Sequence, residues 1–107
     1  FLVAEGCGGL FCPLCDGPEP LLLPEVAAML EFDLLIVSPS GLGSINQAVL
    51  TAEYAKRCGL PARAVVLNRF EAGNPLHEDN RIQIERFTGL PTVCVSEGAD
   101  KIDLSIF

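Results

Sequence analysis

Three short stretches of this sequence combine residue types and spacing that could do chemistry. In Glu5-Gly6-Cys7-Gly8-Gly9 a carboxylate leaves an apolar run among glycines. Glycines let the backbone approach a ligand closely while the side chain faces Mg²⁺ or its waters, and the Gly8 and Gly9 N–H groups could face a phosphate. The plainer alternative is a turn carboxylate that satisfies nearby N–H groups, with ordinary turn glycines. Leu42-Gly43-Ser44-Ile45-Asn46 opens a helical pattern straight after an apolar run. Its unpaired N–H groups and positive dipole end make a carboxylate site, or else it is an ordinary Ser-capped helix with Ser44 and Gln47 at capping-box spacing. Asn68 ends another apolar run with an amide that can donate and accept at once, as a purine edge requires, although Asn also commonly starts loops.

Other groups read more plainly. Cys12-Pro13-Leu14-Cys15 has the spacing of a redox or metal half-site, but the single His, His77, lies far along the chain and no second Cys pair exists. Two thiols in a turn is the favoured reading. Cys7, Cys58 and Cys94 lie within or at the ends of apolar segments, where a thiol behaves as a small hydrophobe. His77 and Asp79 have no nucleophile nearby, and Asp79 or Asn80 reads as a helix N-cap. Lys56, Arg57 and Arg63 cluster at a helix end that favours cations.

The elements that must position these groups follow from apolar patterning. Buried strands are expected at Phe1 to Ala4, Asp33 to Val37, Ala62 to Leu67 and Pro91 to Val95. Between them, Pro24 to Leu30, Ser44 to Cys58 and Asp79 to Thr88 read as helices. The second carries a stripe of Ile45, Ala48, Val49, Ala52 and Ala55 and is ended by Gly59, and the third is closed by Gly89. Ala99 to Phe107 reads as a terminal helix, although Ile102, Leu104 and Ile106 also alternate. Strands separated by helices predict right-handed crossovers, hence an α/β fold with a parallel sheet in three layers, the four strands being parallel neighbours. Its core should draw on Val3, Leu35, Val37, Ile45, Val49, Val65, Leu67, Ile84 and Val93. Chemistry in such sheets sits at the carboxyl ends of the strands, where Glu5 to Gly9, Ser38 to Asn46, Asn68 to Gly73 and Ser96 to Gly98 fall.

The 107 residues suit one small domain, residues 1–107, and half of them are apolar. Seven Lys and Arg against fourteen Asp and Glu give a formal charge of −7, and no basic run could follow a phosphate backbone, which argues against nucleic acid binding. Runs such as Leu34 to Val37 are far too short to span a bilayer, and no cleavable leader follows Phe1. A cytosolic protein is expected.

The motifs carry a resemblance. Glu5-Gly6-Cys7-Gly8-Gly9 with Pro13-Leu14 behind it is similar to the strand-end motif of dethiobiotin synthetases. Leu42 to Asn46 with Ala48 to Thr51, Val65 to Asn68, Asp79 to Arg81 and Thr88 to Pro91 also match that family in order, over nearly the whole chain. The resemblance implies a P-loop NTPase-like sheet, of which this is the C-terminal part, and a homodimer. It also implies Mg²⁺ and nucleotide at Glu5 and Gly8, adenine at Asn68, and the carboxylate of 7,8-diaminopelargonic acid at Leu42, Gly43, Ser44, Ile45 and Asn46, received across the dimer interface. It assigns no catalytic residue in this stretch. The family's reaction phosphorylates, with ATP, a carbamate made from an amine and CO₂, after which the second amine closes the cyclic urea. Gln47 departs from a common His, and Ser96-Glu97-Gly98 from a Pro-containing loop.

No Gly-x-x-x-x-Gly-Lys-Ser/Thr stretch occurs in the sequence, so the loop that grips a triphosphate is missing. The expectation is an N-terminal half supplied by the same or another chain, and no activity without it. Two other readings stay open: an amide synthase of the same superfamily, such as the nucleotide domain of a cobyrinic acid amide synthase, and an inactive or regulatory half-domain that binds a partner through an exposed sheet edge.

Overall fold

The computed structural model describes residues 2–6, 8–103 and 105. The elements run β1 (Pro13–Cys15), β2 (Leu21–Leu22), α1 (Leu23–Met29), β3 (Leu34–Pro39), α2 (Ser44–Arg57), β4 (Ala62–Asn68), α3 (Pro75–Thr88) and β5 (Thr92–Val95). Strands β3, β4 and β5 form one parallel sheet in that order, with Ile36 beside Val65 and Val66 beside Val93. This is the expected α/β architecture, a parallel sheet with flanking helices.

Laying consecutive strands side by side in one direction, with crossovers of one hand, sends both crossover helices to the same face. The core therefore lies on that face, where Ile36, Val65 and Leu67 of the sheet meet Ala48 and Ala52 of α2 and Ile84 of α3. Because side chains alternate along a strand, the same geometry turns Leu35 and Val37 to the opposite face. They are 46% and 66% exposed, so the expectation that both belong to the core is corrected. Val65, Leu67, Ile84 and Val93 are buried as expected, and Ile45 packs against the core half-buried, as does Val49 in burial if not in contact. The inward stripe of α2 consists of Ser44, Ala48, Ala52 and Ala55, small side chains that let the helix approach the sheet closely.

The expected first strand does not form. Phe1 lies outside the described residues, Leu2 to Gly6 have no strand, and Val3 is 76% exposed instead of buried. With no neighbouring strand to complete its hydrogen bonds, an apolar run has no ladder to join. The strands near Asp33, Ala62 and Pro91 are parallel neighbours; the one near Phe1 is not among them. Instead β1 and β2 make a small antiparallel hairpin across the Pro-rich turn, tied to α1 by Leu23 N–H donating to Cys12 C=O at 2.8 Å. The ring of Phe11 rests on Tyr54 of α2 with centroids 5.5 Å apart. A second small core joins Ala27 of α1 to Ala55 and Leu60. At the other end Ala99 to Asp103 form no helix, while Leu104, Ile106 and Phe107 lie outside the described residues, as does Cys7. No described helix is long and apolar enough to cross a membrane.

Candidate functional site at the carboxyl ends of the strands

Helix α2 opens through Gly43, whose φ of 89° lies in the left-handed region that glycine adopts without strain. That turn makes Gly43 the N-cap and carries Ser44 into the first turn with its side chain directed inward, so the Ser44 capping box is corrected: no side chain caps this helix. Ser44 is fully buried and its Oγ finds no hydrogen-bond partner among the described residues. The Gln47 amide folds toward Gly43, 3.7 Å from where a Cβ would stand, without capping. Ser44 N–H donates to Gly41 C=O and Gln47 N–H to Gly43 C=O. The Ile45 and Asn46 N–H groups have no backbone partner among the described residues, as the free end of a helix requires. Leu42 is 92% exposed, and Ile45, Asn46, Val49, Leu50 and Phe87 line a shallow apolar hollow of about 480 Å³ beside it.

The same loop walls a second space. A cleft of about 330 Å³ opens at the carboxyl ends of β3 and β4, between Ser40 and Gly41 on one side and Asn68, Arg69, Phe70 and His77 on the other. Asn68 closes β4, and its side-chain oxygen accepts from Arg69 N–H at 2.9 Å. That bond accompanies a left-handed Arg69, φ 55°, a conformation that costs a non-glycine residue on the order of 1–3 kcal/mol and persists where the surroundings hold it. Phe70, buried, continues the wall by donating its N–H to Val95 C=O at 2.9 Å.

Helix α3 begins a full turn before the expected Asp79. Asn74 is its N-cap, accepting from the Leu76 and His77 N–H groups, and Pro75 occupies the first helical position where its lost N–H costs nothing. Neither Asp79 nor Asn80 is the cap. The Asn-Pro pair was the signal for this start, and it moves His77 out of the loop into the first turn, where it lines the cleft. His77 Nδ1 accepts from Glu71 N–H at 3.1 Å, which assigns the proton of the neutral ring to Nε2, and the ring lies 5.8 Å from Phe70. One turn later Asn80, buried, donates through its amide nitrogen to Ser40 C=O and Gly41 C=O, both at 2.9 Å. Ser40 Oγ in turn donates to Asn68 C=O at 2.8 Å. His77 and Asn80 were not legible as site residues, because only the fold sets α3 against the β3–α2 loop, whereas Arg69 falls in the Asn68 to Gly73 segment expected at a strand end.

The structure thus brings Asn68 and the loop leading to Gly43–Asn46 together. Glu5 and Gly8 lie apart, on an exposed segment without regular structure, and line neither space. Among the described residues no three His, Cys, Asp or Glu side chains gather as a metal-holding group, at Glu5 or at Cys12 and Cys15. A lone exposed carboxylate still fits Mg²⁺, which takes one or two carboxylates and completes its shell with phosphate oxygens and water.

The chain is 35% identical over 106 residues to the ATP-dependent dethiobiotin synthetase BioD of Clostridium botulinum (strain Eklund 17B / Type B), which covers 99% of this chain and 47% of that protein. It is 39% identical over 105 residues to the protein of the same name from Brachyspira hyodysenteriae, covering 96% and 48%. For that of Clostridium perfringens (strain 13 / Type A) the values are 35% over 108 residues, 98% and 47%. The chain spans about half the length of the curated relatives it matches. A family model described as an AAA domain matches residues 1–103, so the chain belongs to the AAA domain family.

Proposed function

We propose that this chain is the C-terminal part of a cytosolic dethiobiotin synthetase, which uses Mg-ATP and CO₂ to close the ureido ring of 7,8-diaminopelargonic acid. The observation that carries the reading is the polar cleft at Asn68 joined, through Ser40 and Asn80, to the open N–H groups at the start of α2. Two ligands that must react side by side need two sites in one rigid frame. Asn68 holds the adenine edge by donating and accepting through one amide. The N–H groups of Ile45 and Asn46, with Leu42, Gly43 and Ser44 shaping the turn, hold the substrate carboxylate. Gly8 would lie against phosphate and Glu5 would hold Mg²⁺, which when bound would supply positive charge to the phosphoryl group; both contacts would require the N-terminal half to place that segment. No residue of this chain takes a proton or forms a covalent bond in the reaction, so its part is positioning.

Two apolar surfaces support the assembly this requires. Leu35 and Val37 leave an apolar strip open on the edge strand β3, which suits an N-terminal half bearing the P-loop, in the same or another chain. The hollow beside Asn46, with Leu42, Leu50 and Phe87 exposed around it, suits the homodimer contact across which the carboxylate arrives.

The test is a full-length protein carrying these residues behind such a half. It should form dethiobiotin with Mg-ATP, and Asn46→Ala should raise KM for diaminopelargonate more than KM for ATP. Asn68→Ala should do the reverse. Absence of product, or an Asn46→Ala effect confined to ATP, would overturn the assignment.

A further inference from the structure

The carbonyls of Ser40 and Gly41 sit beyond the end of β3 and before the first turn of α2, outside the sheet ladder and the regular i to i+4 bonds of the helix. Both accept from one side chain on another element, the Asn80 amide of α3. Because both partners are acceptors, the nitrogen end of that amide must face the loop. Asn80 is 5% exposed and Ser40 2%, so these bonds are shielded from competing water. Ser40 then passes the constraint on, its Oγ donating to the main-chain carbonyl of Asn68. Gly41 passes it the other way, its carbonyl also accepting the first N–H of α2, from Ser44.

We propose that Asn80 is a positioning residue that fixes the start of α2 and the end of β4 in one frame, so that the carboxylate-holding and base-holding groups cannot shift independently. The inference rests on the function proposed above. The sheet ladder sets Asn68 beside Pro39 but ends there, so the Ser40 to Gly43 segment leading into α2 lies beyond it, and a misplacement of about 1 Å between reacting partners can cost on the order of 100-fold in rate.

The test uses the full-length protein. Asn80→Asp keeps the shape but removes both donors and sets a carboxylate oxygen against two carbonyls. It should raise KM for ATP and for diaminopelargonate together, about 10-fold each, and lower kcat by on the order of 100-fold. Ser40→Ala breaks only the link to Asn68 and should raise KM for ATP alone, and adding it to Asn80→Asp should produce little further change in that constant. If Asn80→Asp lowers the melting temperature while both KM values and kcat stay at wild-type level, or if the two substitutions add independently, the inference is wrong. Amide exchange needs no substrate: Ser40→Ala should speed exchange at Phe70 but not Gln47, and Asn80→Asp at both. Unchanged exchange at Phe70 in Ser40→Ala would defeat the proposal even if Asn80→Asp does not fold. A wild-type protein that makes no dethiobiotin defeats the function proposed above, and the exchange pattern still decides the role of Asn80.

Discussion

The turn from Ser40 to Ser44 and the stretch carrying Glu5, Gly8 and Gly9 are both glycine-bearing segments that follow apolar runs, and their settings differ. Around the first, the strand before it is paired, the helix after it is packed, the buried Asn80 amide from α3 holds two of its carbonyls, and its own Ser40 hydroxyl donates to the carbonyl of Asn68. Around the second, the run Leu2 to Ala4 pairs with no strand among the described residues, its side chains are exposed, and Gly8 has a φ of 108°. A site group acquires a position only when its element has its neighbours. The described residues include the neighbours of the first segment and none that pair with the second.

The largest effect that would sharpen this contrast is all-or-none. The isolated chain should form no dethiobiotin from diaminopelargonate, CO₂ and Mg-ATP, while the same residues joined to a P-loop half should. Turnover by purified 107-residue protein, shown free of host enzyme, would break the comparison, because the unheld Glu5 segment would then suffice.

Next in size is the difference between the two sheet faces. Leu67→Ala, which empties a fully buried position, should destabilise by about 2–5 kcal/mol in thermal or urea unfolding. Val37→Ala on the open face should stay within about 0.5 kcal/mol in the isolated chain and cost clearly more once the second half is present. An equal cost for Val37→Ala in both contexts would show that the added half does not cover that face.

Glu5→Gln in the joined protein should lower turnover by roughly 10- to 100-fold with the fold intact, since the amide keeps the shape but is a poor metal partner. In the isolated chain the same change should leave the melting temperature unmoved, as expected of an exposed side chain. Wild-type turnover in the joined Glu5→Gln protein would remove Glu5 from the site.

The smallest effect concerns the helix that presents His77 and Asn80. Asn74→Ala removes the cap of α3 and should cost about 1 kcal/mol, with Asn74→Gly costing less. A cost no greater than that of Asp79→Ala would mean that α3 does not start where Asn74 and Pro75 set it.

By itself the sequence determined the local elements whose signals are local. The apolar runs around Ile36, Val65 and Val93 became strands, the alanine stripe marked the inner face of α2, and Gly59 and Gly89 ended their helices. It determined the order of the crossovers, hence a parallel sheet, and its motifs carried the family resemblance. Only the tertiary structure decided which face of the sheet the helices cover and which strand lies at the edge, and so why Leu35 and Val37 lie outside the core although their residue types match Ile36. Residue type records that a side chain avoids water, whereas the covering layer depends on the direction in which successive crossovers are laid down. The tertiary structure likewise decided that Asn80 reaches the carbonyls of Ser40 and Gly41, 40 and 39 positions away, because a hydrogen bond depends on distance and direction in space, and nothing in the local pattern around Asn80 specifies either.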